Sequence, residues 1–146
     1  MKRIVLIAAL WLGGLATWGA AAEFRAGVGK ACITPNTSLW MSGYAARTKP
    51  SEGAMHDLWA KALAIDDGAG GRVVLVATDL IGLPYEVAEE IAGRLKAKHG
   101  LDRSQLVLNS THTHGGPAVR PNLSVMFDMN AEDLQRANAY GEKLVG

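Results

Sequence analysis

Two histidines separated by one residue are the strongest candidates for chemistry in this sequence. His112 and His114 lie in the segment Ser-Thr-His-Thr-His-Gly-Gly-Pro, residues 110–117. In extended backbone, alternate side chains share a face, so the two imidazoles are expected on one side and about 7 Å apart along the chain. Neutral imidazole is a preferred zinc ligand, and catalytic zinc typically has three protein ligands and one water. The pair alone fits a metal site and ordinary hydrogen-bonded histidines equally well.

The residues around the pair favour a functional site. Gly115 and Gly116 would let the backbone approach a substrate closely. The metallo-β-lactamase pattern His-x-His-x-Asp-His is excluded, because Gly116 and Pro117 stand where Asp and His would be required. Of the other histidines, His99 ends a predicted helix and is interpreted as solvent-facing, while His56, in a loop, is kept as a weaker candidate.

Runs of apolar residues predict the strands that would position the histidines. The sequence Asp-Asp-Gly-Ala-Gly-Gly at 66–71 separates two such runs and predicts the turn of a β-hairpin. The run Leu75, Val76 and Ala77 has no polar face, which is expected of a strand covered on both sides. The predicted strands are residues 24–33, 39–45, 58–65, 72–78 and 105–109.

A helix is predicted between the last two strands. Val87, Ile91 and Leu95 recur at helical spacing, Pro84 suits the first turn, and Gly100 supplies a stop. Strand, helix and strand then form a right-handed βαβ unit with parallel strands. The predicted fold class is therefore α/β, with a mixed sheet made of the hairpin and this unit.

This topology places the candidate residues at one edge of the sheet. In open α/β sheets, ligands bind beyond the carboxyl ends of the parallel strands. Asp79 follows the first strand of the βαβ unit, and His112 and His114 follow the second. Asp79 is interpreted as a structural or ligand-orienting carboxylate rather than a general base. The chain ends within a helical pattern at 132–145, so residues 23–146 are expected to be the N-terminal portion of a truncated, incomplete domain.

The N-terminus predicts export to the periplasm or the exterior. Lys2 and Arg3 precede an apolar run at 4–12, and small residues end at 20–22 in Ala-Ala-Ala. These are the three parts of a secretory signal peptide, so residues 1–22 are expected to be removed before Glu23. The alternative is an uncleaved membrane anchor, but the second half of this segment is Gly-, Ala- and Thr-rich.

Composition excludes some functions. Fifteen Lys and Arg against 14 Asp and Glu leave no basic stripe, so nucleic acid is not an expected partner. Cys32 is the sole cysteine, so an intrachain disulfide cannot form. We expect it to be a buried structural residue, since no neighbouring base would activate a thiol.

Five ordered segments resemble the neutral/alkaline non-lysosomal ceramidase family, in the N-terminal part of its catalytic domain. They are AGVGKACITP at 26–35, MSGYA at 41–45, LWAKALAIDD at 58–67, RVVLVATDLIGL at 72–83 and STHTHGGP at 110–117. The resemblance implies a zinc hydrolase that cleaves the amide of ceramide to sphingosine and fatty acid. It also implies a lipid-like substrate, met at a membrane surface. One departure is Cys32, where the family usually has Asp.

Carried over to this chain, the resemblance makes His112 a zinc ligand and His114 a catalytic residue that contacts substrate without binding zinc. The family's other ligands, a second His, a Glu and a Tyr, would come after Gly146, so this chain alone is expected to be inactive. Gly43 and Tyr44 match a family segment near the pocket without an assigned role. Two alternatives remain open, an inactive exported module and a zinc hydrolase for another acyl amide.

Overall fold

Four strands form one mixed sheet in the order β1-β2-β3-β4. The computed structural model describes residues 23–120 and 122–146, so the expected signal peptide at 1–22 lies outside the described residues. The pairs β1/β2 and β2/β3 are antiparallel, whereas β3/β4 is parallel. This confirms the α/β class, the hairpin and the parallel βαβ unit. The elements are β1 (Arg25–Cys32), β2 (Trp59–Asp66), β3 (Arg72–Thr78), α1 (Tyr85–His99), β4 (Leu106–Ser110) and α2 (Ala131–Val145).

The hairpin turn between β2 and β3 is held by two neighbouring carboxylates, of which Asp66 accepts a 2.8 Å hydrogen bond from Gly68 N–H. Oδ1 of Asp67 accepts hydrogen bonds of 2.8 Å from the backbone N–H groups of Ala69 and Gly71. Gly68 and Gly70 have φ angles of 69° and 103°, a backbone conformation that glycine adopts at little cost. The composition of the predicted turn therefore accounts for its conformation.

Helix α1 covers one face of the parallel strands. Pro84 precedes its first turn, and Gly100 ends it in the left-handed conformation, with its N–H directed at Leu95 and Lys96 carbonyls. The start and stop signals in the sequence are thus confirmed. Ala92 of α1 packs with Leu101 and Leu106, and further apolar side chains from the strands and the helix surround them: Val74, Val76, Ile91, Leu95 and Leu108.

Helix α2 closes a second core against α1 and the segments that follow β1 and β3. Asn130 caps the helix through a reciprocal capping box with Asp133. Tyr140 donates a 2.7 Å hydrogen bond to the carbonyl of Ile33, and burial raises the pKa of this phenol. The buried members of this core are Ile33, Leu39, Leu80, Val87, Val119, Tyr140 and Val145.

Residues 39–45 do not form the short strand that their composition predicts. Met41 makes a single bridge with Pro117, and the chain then turns away. Gly43 and Tyr44 have φ angles of 76° and 55°, which no extended strand can accommodate. The prediction was wrong because the backbone conformation of Tyr44 is rare for a residue with a side chain.

One face of the sheet is exposed within the described residues. The predictions that β3 is covered on both sides and that Cys32 is buried were therefore wrong. Val28, Leu63, Leu75 and Val107 are paired in register across all four strands. Their exposed fractions are 88%, 37%, 40% and 47%, so β3 is covered on one side only. Cys32 ends the edge strand β1, whose residues are all exposed, and is itself exposed rather than buried.

No helix within residues 23–120 and 122–146 combines the length and apolarity required to cross a bilayer.

Candidate functional site

The loops that follow the two parallel strands meet beyond the carboxyl edge of the sheet. Thr111 N–H donates to the Thr78 carbonyl at 2.9 Å, and the Thr78 and Ser110 hydroxyls are also 2.9 Å apart. One step further along, Nδ1 of His112 lies 2.8 Å from the carbonyl oxygen of Ile81. These contacts hold the histidine segment against the loop after β3, as expected from the topology of the βαβ unit.

The histidine segment is not extended, which corrects the sequence-based expectation. Strand β4 ends at Ser110, and His112 has a left-handed φ of 59°. This bend brings the side chains together instead of leaving them side by side on a strand. Nε2 of His112 lies 3.5 Å from Nε2 of His114, and the ring centroids are 5.2 Å apart.

The hydrogen bond to Ile81 determines what the His112 imidazole can do. A carbonyl oxygen only accepts, so neutral His112 in this arrangement carries its proton on Nδ1 and its lone pair on Nε2. This is how metal-binding histidines are commonly oriented, with the second nitrogen donating to a carbonyl or carboxylate. His112 is exposed and His114 half-buried, and Nε2 of His112 lies 3.5 Å from Nε2 of His114.

The donors present fit a divalent ion but do not complete its coordination. Two nitrogen ligands on tetrahedral zinc, with usual bond lengths, lie roughly 3.4 Å apart. The 3.5 Å between the two Nε2 atoms therefore suits two ligands of one ion. It equally suits His112 as a ligand and His114 as a neighbouring group that contacts substrate. Among residues 23–120 and 122–146, no group of three or more His, Cys, Asp or Glu could hold a metal.

The segment around residue 42 packs along the histidine segment. Ser42 N–H donates to the Gly116 carbonyl at 2.8 Å, and its hydroxyl donates to the Pro117 carbonyl at 2.9 Å. Ala118 N–H donates to the Trp40 carbonyl at 2.7 Å. Ser42 is almost fully buried, with an exposed fraction of 1%, so these bonds are protected from water.

Beyond Ser42, the 43–47 turn surrounds the His114 imidazole. A methyl group placed on Gly43 would lie 2.5 Å from Cγ of His114, so only glycine allows the ring to sit there. The Tyr44 ring meets the imidazole edge-on, with centroids 4.9 Å apart. Arg47 donates to the carbonyls of Gly43 and His114, at 3.2 and 3.1 Å. The MSGYA match at 41–45 was the signal for Gly43 and Tyr44, to which no role was assigned, whereas Arg47 was predicted only as part of a polar loop.

Within the described residues, the remaining candidates do not join the pair in a group that could hold a metal. Oδ2 of Asp79 accepts a 3.0 Å hydrogen bond from Trp59 N–H, which joins β2 to the end of β3 and agrees with a structural role. The carbonyl of His99 accepts from Arg72 at the start of β3, at the opposite end of that strand from the site. His56 is exposed in the loop before β2. None of the three completes the histidine pair.

The neutral/alkaline non-lysosomal ceramidase N-terminal family matches residues 24–139. The chain belongs to this family. A neutral ceramidase of Drosophila pseudoobscura pseudoobscura is 32% identical over 120 residues, which are 80% of this chain and 17% of that protein. The neutral ceramidase of Pseudomonas aeruginosa is 38% identical over 98 residues, 64% of this chain and 15% of that protein.

The fold is also that of a solved family member. The crystal structure of neutral ceramidase from Pseudomonas aeruginosa superposes with a TM-score of 0.69 at 32% identity, covering 84% of this chain and 20% of that one. This ceramidase-family chain therefore spans about a sixth of the length of the curated relatives that it matches.

Proposed function

We propose that this chain supplies the first part of a zinc-dependent hydrolase that cleaves the amide bond of ceramide to sphingosine and fatty acid. Family membership supports the reaction class, since the named relatives are neutral ceramidases. The observation that carries the proposal is the orientation of His112. Its Nδ1 is bound to the Ile81 carbonyl, which leaves the lone pair on Nε2, 3.5 Å from Nε2 of His114.

The two histidines would have different tasks. His112 would hold zinc through Nε2, because the bond to Ile81 fixes the proton on the other nitrogen. A bound zinc ion would lower the pKa of a water molecule and polarise the amide carbonyl. His114, half-buried against the 43–47 turn, would hold a proton or donate a hydrogen bond at the reacting amide.

The proposed activity requires more than this chain. At the candidate site the described residues bring two imidazoles together, those of His112 and His114, whereas catalytic zinc typically has three protein ligands. We therefore expect residues 23–146 alone not to hydrolyse ceramide, and an inactive module is the competing proposal for the isolated chain. A zinc hydrolase for another acyl amide is the competing proposal for the complete site, because the described residues do not single out ceramide.

The test is a chimera in which residues 23–146 replace the equivalent segment of Pseudomonas aeruginosa neutral ceramidase. We expect the purified chimera to contain one zinc ion and to hydrolyse a labelled ceramide, with loss of both properties in His112→Ala. The isolated segment serves as the inactive control. A folded chimera that contains zinc but prefers a simple N-acyl amine over ceramide would favour the other substrate class. A folded chimera without zinc would contradict the proposed metal site.

We also propose that the protein is exported and meets its lipid substrate at a membrane surface. Support comes from Lys2, Arg3 and the alanines at 20–22, which lie outside the described residues. Mass spectrometry of secreted or periplasmic material should find Glu23 at the N-terminus. An intact Met1 terminus in that material would contradict cleavage.

A further inference from the structure

We propose that Arg47 is a positioning residue for His114, acting through the 43–47 turn. Only the catalytic consequence rests on the proposed function, because the contact itself needs neither zinc nor substrate. Arg47 is 67 residues from His114 in sequence, yet its Nη2 donates to the His114 carbonyl at 3.1 Å. Its Nε donates to the Gly43 carbonyl at 3.2 Å. One guanidinium group thus joins the backbones of the two segments.

The same guanidinium supports the aromatic residue that contacts the imidazole. Cζ of Arg47 lies 5.5 Å from the Tyr44 ring centroid, within the range of a cation–π contact. The Tyr44 ring in turn meets the His114 ring at an interplanar angle of 73°. Arg47 N–H also donates to the Tyr44 carbonyl at 3.0 Å, which closes the turn. Tyr44 therefore lies between Arg47 and the imidazole.

The side chain of Arg47 contacts a turn whose backbone conformation is rare for a residue with a side chain. Tyr44 has a φ of 55°, a left-handed backbone conformation that is strained at a non-glycine residue. Tyr44 is also 64% exposed, so burial of its ring contributes little to holding it there. The bonds from Arg47 to the Gly43 and His114 carbonyls offset this strain.

Loss of the guanidinium should therefore release Tyr44 and free the His114 ring to rotate. Residue 43 cannot supply a side chain in place of Tyr44, since a Cβ added to Gly43 would lie 2.5 Å from Cγ of His114. Arg47→Lys keeps the positive charge, but a single ammonium group cannot replace both guanidinium donors. It should therefore keep the contact between Tyr44 and His114 only in part.

The direct test is nuclear magnetic resonance of the full chain, with the Tyr44 and His114 rings isotopically labelled. We expect cross-relaxation between the two rings in the wild type, loss of this signal in Arg47→Ala, and partial recovery in Arg47→Lys. Lys49→Ala is the matched control, because it removes a nearby cation whose partner is the exposed Glu52. Unchanged amide shifts in β2 and β3 would show that the sheet is intact. Persistence of the ring contact in Arg47→Ala would overturn the proposal.

The second test uses the chimera. It tests the positioning role of Arg47 even if the chain or its Arg47→Ala variant is poorly folded alone. We expect Arg47→Ala to lower kcat by on the order of 10-fold to 10²-fold, with zinc content and KM nearly unchanged. Lys49→Ala should behave as the parent. An unchanged kcat in Arg47→Ala, or a parallel loss of zinc, would overturn the positioning role. If the parent chimera were inactive, the proposed function would be contradicted. The contact between the Tyr44 and His114 rings needs no zinc, so it would still test the positioning role of Arg47.

Discussion

The backbone carbonyl of Ile81 lies 2.8 Å from Nδ1 of His112, so a main-chain group in one loop fixes the proton position of a side chain in the next. Because the acceptor is backbone, its presence depends on the path of the loop after β3 and not on the identity of residue 81. The neighbouring bond from Thr111 N–H to the Thr78 carbonyl keeps the two loops in this register. The availability of Nε2 in His112 is thus a property of the βαβ connection.

Substitution of the two histidines should separate zinc binding from catalysis. In the chimera, His112→Ala should lose both zinc and ceramide hydrolysis, since it removes the nitrogen that is proposed to bind the ion. His114→Ala should retain zinc while the rate falls on the order of 10²-fold to 10⁴-fold, as expected for a group that manages a proton or stabilises charge. Elemental analysis beside the hydrolysis rate measures both quantities.

The outcome also decides whether His114 is a ligand. Its Nε2 is 3.5 Å from that of His112, which is close enough for both to bind one ion. Equal loss of zinc in the two variants would make His114 a second ligand. Full activity in His112→Ala would end the interpretation of this segment as a metal site.

Replacement of Gly43 by alanine should destabilise the site. The added Cβ would lie 2.5 Å from Cγ of His114, and Gly43 also has a left-handed φ of 76°. Both effects act against alanine, so we expect a loss of more than about 1 kcal/mol in the free energy of unfolding. Urea titration of dilute residues 23–146 measures it. Gly29→Ala is the control, because a Cβ there meets nothing within 4 Å. Equal stability of the two variants would refute the close contact with His114.

Local signals in the sequence predicted the regular elements, whereas the contacts around the site depend on long-range packing. Pro84 and Gly100 delimit α1 because each imposes a local backbone geometry, and the glycines after Asp67 do the same for the hairpin. The left-handed backbone of Tyr44 and His112 has no such signal, since both residues usually adopt other conformations. The sequence therefore located the histidine pair but not how closely its rings approach.

The prediction that β3 is buried on both faces was wrong for a related reason. The apolar run in β3 is compatible with cover on one face or on two, and only the tertiary structure distinguishes them. Helix α1 covers one face of β3. On the other face, Leu75 is 40% exposed within the described residues. Arg47 could not be placed beside His114 either, because the two residues are 67 positions apart and belong to segments without regular structure.

Removal of the Tyr140 hydroxyl should weaken the attachment of α2. The phenol donates a 2.7 Å hydrogen bond to the Ile33 carbonyl in a buried region, and phenylalanine would leave that oxygen without this partner. We expect Tyr140→Phe to lower the free energy of unfolding by about 1–3 kcal/mol. Tyr85→Phe, at a residue that is 74% exposed, should change it by less than about 0.5 kcal/mol. Equal effects in urea titrations would contradict a structural role for the buried bond.

The ion pair between Arg120 and Glu90 should make stability sensitive to acid. Arg120 donates two hydrogen bonds to Glu90, of 2.9 and 2.8 Å, which hold the pKa of that carboxyl below its ordinary 4.5. A lowered folded pKa stabilises the fold above pH 4.5, and this contribution is lost as the pH falls through the folded value. Between neutral pH and pH ~3, Glu90→Gln should therefore lose less stability than the wild type. A Glu90→Gln stability profile parallel to that of the wild type would exclude the linkage.

The exposed apolar row on the sheet should make the isolated chain associate. Val28, Leu63, Leu75 and Val107 form a continuous strip across four strands, and β1 is an open edge within the described residues. Contiguous apolar surface of this kind favours association, as does an unprotected strand edge. We expect light scattering of residues 23–146 to show a mass that rises with concentration, and Leu63→Lys with Leu75→Lys to reduce that rise.

The control for this association is Met55→Lys, which adds one lysine, against two in the row variant, at a side chain that is 94% exposed outside the row. It should associate as the wild type does, because the row remains intact. Circular dichroism would establish that all three proteins keep their strand and helix content. If Met55→Lys suppressed association as strongly as the changes in the row, general charge would be the cause. A wild-type chain that stayed monomeric at every concentration would show that the exposed face is not adhesive.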